Sequence, residues 1–314
     1  MCSADEVEDP DGKILFGQRS SEPICKKKLM LGEQARSPWN MGCMHPDNGC
    51  VVPQKLASWV YAAADVYLKR NWVIHHSPKY IQLSSEAFRS QLVGSNPMGF
   101  ELCDILIRRF TQLDADMRAN SWKCRWRHFF ESDFYSFALA GYDLLNVLSV
   151  REQFIGANVP YNLSACRMIS AMLVPACINQ VWCCFSFDMW NKVIYVLDPC
   201  GPNPHTALKR HAAQRILDAL CKCISAFFDN WQPDPNAWQV HFPVLNIESC
   251  NVVHCGVCML HCARNFKGDA LAMPLKLGQI PSLRNALLCE ALTISGNNVA
   301  IPLPLKTIIA NSVY

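Results

Sequence analysis

The stretch Asn251-Val-Val-His-Cys255-Gly256-Val-Cys258-Met-Leu-His261 constrains this chain more than any other. A polar, irregular segment gives way at Cys255 to an apolar run whose pattern reads as a helix ending near Phe266. A cysteine at a helix start lies among unpaired backbone N–H groups, and the helix dipole there favours the thiolate. Gly256 lets the backbone approach a substrate closely. Upstream, Val181 to Phe187 and Lys192 to Asp198 are β-branched and aromatic runs joined by the turn Asp188-Met-Trp-Asn191. That is a hairpin pattern, and its second strand closes on Asp198 before Pro199-Cys-Gly-Pro.

Cysteine usage sets the weight given to Cys255. The chain has 18 cysteines in 314 residues, so a thiol picked at random is a small packing residue. Cys183, Cys184, Cys221, Cys223, Cys258 and Cys262 lie in apolar patterns and fit that role. The first residues, Met1-Cys-Ser-Ala-Asp-Glu-Val-Glu-Asp, are acidic and polar and unlike a secretory signal. A reducing, intracellular setting, nuclear or cytoplasmic, is expected. Cys43-Met-His45-Pro-Asp-Asn-Gly-Cys50 offers half of a zinc site without a second close pair, so no metal or other cofactor is expected. A net charge of +3 and the lack of a long basic run argue against nucleic acid, with Lys26–Lys28 read as a solvated turn. No apolar run is long enough to span a membrane.

The rest of the pattern is organised around this pair of segments. Residues 1–50 read as a poorly ordered extension, 51–270 as the working domain and 271–314 as a C-terminal helix (Leu283–Leu292) with a Pro-containing tail. Leu56, Val60, Ala63, Ala64 and Tyr67 predict one amphipathic helix ending before Asn71. Strands are expected at Trp72–His76 and Tyr80–Leu83, followed by a helix capped by the Ser84–Ser85 pair. Phe100 to Phe110 reads as a buried helix with Arg108 and Arg109 as a surface pair. Trp122 to Phe130 is basic and aromatic, and the aromatics that follow make core packing the expectation, with His128 as a packing histidine. Met168 to Ala176 is a strand, His205 to Phe228 a long amphipathic helix and Trp238 to Phe242 a short strand.

These segments resemble the catalytic half of the ubiquitin-like-protein (SUMO) protease family, in a divergent plant-type form. That family carries a His-Trp pair opening one strand, an Asp closing the next, and Gln-x-Asn-x-x-Asp-Cys-Gly at the nucleophile. Trp182 matches the Trp, Asp198 the orienting acid, and Asn251, Cys255 and Gly256 the nucleophile motif. The resemblance spans roughly Val52 to Asp269. It implies an α+β, papain-like cysteine protease fold: a central mixed β-sheet flanked by helices, with the nucleophile at a helix N-terminus. It also implies a cysteine-type peptidase or isopeptidase acting on SUMO or a related modifier as a monomer, with Trp182, Asn251 and Gly256 at the substrate and Trp182 lining a narrow channel for a Gly-Gly tail.

The departures are chemical. Val181 stands where the family has its catalytic histidine, Ser249 where it has the oxyanion glutamine, and His254 where it has the acid before the cysteine. Without an imidazole partner a thiol is only about a few per cent thiolate at neutral pH, and losing a triad member costs on the order of 10⁴-fold. His205, His241 and His254 are the candidates for a substitute base, with His261 behind them. Activity is therefore expected to be weak or absent. The alternative to a peptidase is an inactive pseudoprotease that binds a ubiquitin-like protein. On this alignment Val181→His should set an imidazole between Cys255 and Asp198.

Overall fold

The computed structural model describes residues 7–8, 14–15, 51–94, 96–118, 127–155, 171–189, 191–201, 206–228, 232–248, 250–268 and 270–310. Ahead of residue 51 this leaves a two-residue antiparallel pair, Val7–Glu8 with Ile14–Leu15. The half zinc site Cys43–Cys50, Lys26–Lys28, the start of the aromatic stretch (122–126), His205 and Ser249 lie outside the described residues.

Helix α1 (Val52–Ala62) buries Val52, Leu56, Ala57 and Val60 along one stripe. The single helix expected up to Asn71 instead breaks at Ala63 and Ala64, both extended, before the one-turn α2 (Asp65–Leu68). Tyr61, Ala63 and Val66 are solvent-facing or partly so, and no buried side chain anchors a further turn. Strands β1 (Asn71–His75) and β2 (Ile81–Ser84) pair antiparallel. Ser84 then caps α3 (Ser85–Phe88), its Oγ accepting the Ala87 N–H at 3.2 Å. A π-helical turn, Arg89–Val93, continues from it.

Helix α4 (Phe100–Arg118) carries the expected buried face of Leu102, Ile105, Leu106 and Phe110. Arg108 is a correction. It is buried, its Nε donating to Glu131 Oε1 at 2.6 Å and its Nη2 to the Lys79 carbonyl at 2.8 Å. A buried guanidinium is tolerated because a carboxylate from a distant element satisfies it, and a sequence window cannot show that partner.

The central sheet has five strands in chain order: β3 (Arg127–Phe129), β4 (Ala171–Ile178), β5 (Val181–Asp188), β6 (Val193–Leu197) and β7 (Gln239–His241). Its outer pairs are parallel and its inner pairs antiparallel, so the sheet is mixed. Alternation along the inner strands separates two cores. Met172, Val174, Cys183, Phe185, Phe187, Ile194 and Val196 face α5 (Ser132–Ala140), α6 (Leu148–Ile155) and α7 (Thr206–Phe227). His128 packs on this aromatic side, its ring 4.5 Å from Phe130 between centroids.

Leu173, Trp182, Cys184 and Leu197 point the other way, into the core shared by α1, α4 and α8 (Cys255–Asn265). Helix α9 (Ile280–Leu292) adds Leu283, Leu287, Leu288 and Ala291 to that core, and α10 (Leu303–Ala310) adds Leu305. The Pro-containing tail is thus partly helical, because Pro304 sits in the first turn, where its missing N–H removes no helical hydrogen bond. The fold is α+β, a central mixed sheet flanked by helices.

Candidate active site around Cys255

Every residue of α8 is buried. A helix that is apolar nearly all round has no solvent face, and its few polar side chains find partners instead. His261 Nε2 donates to the Met273 carbonyl at 2.8 Å, and Arg264 Nη1 donates to Glu290 at 2.7 Å. The turn into the helix is fixed from both sides. Asn251 Oδ1 accepts the His254 N–H at 3.0 Å, and Arg284 on α9 donates to the Val253 carbonyl at 2.9 Å.

This geometry places Cys255 Sγ against the first residues of β5. The Trp182 N–H donates to the sulfur at 3.2 Å, and the thiol donates to the Val252 carbonyl at 3.0 Å, with the Gln180 carbonyl at 3.8 Å. Contact with the Cys200 thiol and burial raise the Cys255 pKa far above the ordinary thiol value, outweighing the Trp182 and Gly256 amides that favour the anion. The helix terminus therefore does not deliver a thiolate here. Val181, half-buried at the start of β5, lies in the chain between the Gln180 carbonyl and the Trp182 N–H that meet the sulfur.

Asp198 follows β6 and is buried. Its Oδ1 accepts the Cys200 N–H at 3.0 Å, and its Oδ2 accepts from Lys209 Nζ in a short ion pair. Gly201, at φ +87°, closes the turn with its N–H on the Asp198 carbonyl, a conformation that favours glycine, and this turn brings Cys200 over Cys255. Lys209 comes from α7, on the buried face it shares with Ala212, Ala213 and Ile216. Sequence reasoning missed it. The available signal was a charged residue at helical spacing from apolar ones, which a search confined to histidines passes over.

None of the described histidines is a hydrogen-bond partner of Cys255. His254 Nδ1 lies 3.1 Å from Arg284 Nη2, and its pKa is lowered by burial and by that guanidinium. His241 lies on the edge strand beside Gln239, and His261 faces Met273. Among the described residues no group of three or more His, Cys, Asp or Glu side chains could hold a metal ion. No described helix is long and apolar enough to cross a membrane.

Trp182 is buried, its Nε1–H donating to the Met98 carbonyl at 3.0 Å and its ring meeting the half-exposed Phe100 edge-on at 5.2 Å. Gly256 lies beneath the same pair. A Cβ there would stand 2.7 Å from Met98 Cβ and 3.1 Å from Trp182 Cδ1, so only glycine fits the approach. The Met98–Phe100 corner is a second feature that sequence reasoning did not single out.

No protein-family model matches this chain, and no curated protein does. Solved structures do. The SUMO protease Ulp1 with its catalytic cysteine oxidised to a sulfenic acid is similar over 80% of this chain and 98% of its own, at 14% identity and a TM-score of 0.56. The C-terminal Ulp1 protease domain in complex with Smt3, the yeast ortholog of SUMO, is similar over the same shares at 14% identity and a TM-score of 0.55. The Ulp1-like SUMO protease catalytic domain of Chaetomium thermophilum is similar over 85% of this chain and 97% of its own, at 13% identity and a TM-score of 0.55. With its central mixed sheet flanked by helices, this chain has the papain-like fold of the Ulp1-like SUMO proteases.

Proposed function

We propose that this domain uses a SUMO-protease fold to bind the C-terminal tail of a ubiquitin-like protein, with hydrolysis at Cys255 absent or very weak. The observation that carries this reading is the Asp198–Lys209 pair. An acid that orients a catalytic imidazole needs its carboxylate aimed at that ring. Here one oxygen holds a buried ammonium and the other a backbone N–H. With Val181 at the histidine position and Ser249 at the glutamine position, cleavage of a lysine amide would lack its general acid and one oxyanion donor. The bound Smt3 of the similar Ulp1 structure supports a ubiquitin-like partner. The half-exposed Phe100, held edge-on against the buried Trp182, supplies the aromatic surface for a small-residue tail. Neither nucleic acid nor membrane is part of this reading, and it places a monomer in an intracellular compartment, nuclear or cytoplasmic, that suits 18 cysteines.

A second reading, a cysteine-type peptidase or isopeptidase that processes or removes SUMO, is favoured by one feature: the Trp182 and Gly256 amides directed at the sulfur. One experiment separates them. SUMO is presented once with its native tail and once with an electrophilic C-terminus, at neutral pH. Saturable binding of the first with no covalent adduct from the second is expected. An adduct on Cys255 would establish the peptidase reading, and no binding of either would sink the binding-module reading.

A further inference from the structure

The Met98–Phe100 corner is held by side chains that neither reading of the site has used. Phe100 is the first residue of α4, and helix ends fray unless something fixes them. Its ring is also 46% exposed, so core packing alone does not set its position. The two residues before it are each tied to another element. Trp182 Nε1–H donates to the Met98 carbonyl at 3.0 Å. The Gly99 N–H donates to Gln91 Oε1 at 2.6 Å. Gln91 stands in the π-helical turn Arg89–Val93. The chain leaving that turn is pinned in its own right, with the Asn96 N–H on the Ser90 carbonyl at 3.0 Å.

The π-helical turn is joined in turn to the segment that opens α8. Arg284 Nη1 donates to the Gln91 carbonyl and lies 3.4 Å from the Gly94 carbonyl, while its Nη2 donates to the Val253 carbonyl at 2.9 Å. One buried guanidinium thus fixes Gln91 relative to the turn that carries Cys255. We propose, on the basis of the tail-binding reading, that Gln91 is a positioning residue for the tail of a ubiquitin-like protein. Its side-chain oxygen holds the Gly99 N–H, and so keeps the Phe100 ring edge-on against Trp182, with centroids 5.2 Å apart, before any tail arrives. The gain is pre-organisation. A ring fixed in advance loses little freedom on binding, whereas a ring on a fraying helix end must be ordered at that moment, and affinity falls by that cost. Gln91 does not touch the tail; it acts through Gly99 and Phe100.

The test is a double-variant cycle on the full chain, titrated with SUMO bearing its native tail and followed by calorimetry. Phe100→Ala should weaken binding about tenfold, and Gln91→Leu about fivefold. Because Gln91 acts through the ring, adding Gln91→Leu to Phe100→Ala should weaken binding by less than about twofold more. Losses that multiply in the double variant overturn the proposal, as does either single variant binding as tightly as the wild type. Should Gln91→Leu fail to fold, hydrogen exchange of the free wild-type chain decides: a protected Gly99 amide supports the fixed corner, and an unprotected one overturns it. No binding by the wild-type chain sinks the tail-binding reading and this role for Gln91 with it. Wild-type binding together with any of the other overturning results leaves that reading standing and removes Gln91 alone.

Discussion

Asp104 on α4 and Asp198 at the end of β6 are both buried and both face a lysine, yet their surroundings differ in charge balance and in access to water. At Asp104, Lys79 Nζ lies 2.7 Å away and also reaches Glu131 at 3.4 Å and Asp133 at 3.3 Å. Arg108 completes the cluster on Glu131, so three carboxylates share two cations, and the Lys79 side chain is 27% exposed. At Asp198 one carboxylate meets one ammonium, with side chains 3% and 2% exposed. The first cluster has an unbalanced negative charge and a wet edge, so it responds to pH. The second is balanced and dry, so neither partner can be lost without stranding the other. The difference lies in what each lysine holds: Lys79 is shared among three carboxylates, whereas Lys209 is committed to Asp198 alone.

The largest effect should come from breaking the dry pair. Lys209→Met is expected to lower unfolding stability by about 3–5 kcal/mol in denaturant titration, because it leaves a bare buried carboxylate. Asp198→Asn combined with Lys209→Met should restore most of that loss. A single-variant loss below about 1 kcal/mol would mean that the pair is screened as a surface pair is, and the contrast with Asp104 would disappear.

The next effect belongs to the wet cluster. Burial pushes Glu131 up to about 7, against the pull of Arg108. A folded-state pKa above the unfolded value means that the native state holds the extra proton. The stabilisation is therefore complete below about pH 4.5, the unfolded value, and is lost as pH rises through 7. Stability should fall by at most about 3 kcal/mol between pH 5 and pH 8, and Glu131→Gln should flatten that dependence. A profile unchanged by Glu131→Gln would show that another group carries the titration.

Removing Lys79 should cost less than removing Lys209, about 1–2 kcal/mol at neutral pH, since water reaches the carboxylates it leaves behind. Equal losses for the two lysine variants would contradict the distinction between the sites. The smallest effect is the most informative about function. Val181→His alone should change the rate of Cys255 alkylation by less than about twofold, because Asp198 is already occupied by Lys209 and cannot orient the new ring. A rise of tenfold or more would show that the acid is still available. The alignment by itself leads to that opposite outcome, and Lys209 is the reason to expect otherwise.

Much of the fold was legible in the sequence because local rules coincide with tertiary needs. The Val181–Asp198 hairpin, the serine-capped helix after β2 and the helix opening at Cys255 follow from alternation, capping and periodicity. The break at Ala63 and the helix around Pro304 were not legible, because packing on α9 and α1 decides where those helices stop and start. At the candidate site, the sequence by itself determined which chemical groups are present: a thiol at Cys255, an aspartate at Asp198 and an aliphatic side chain at Val181. Only the tertiary structure decided what surrounds them. The N–H groups of a helix start favour an anion, but the Val252 carbonyl and the Cys200 thiol meet the sulfur first and keep it protonated. An aspartate in a strand-end motif is an orienting acid only if its carboxylate is unclaimed, and Lys209 claims it from a helix that no local pattern links to β6. Desolvation gives each of these long-range contacts its weight, and burial of this kind is a property of the folded chain and not of any segment of it.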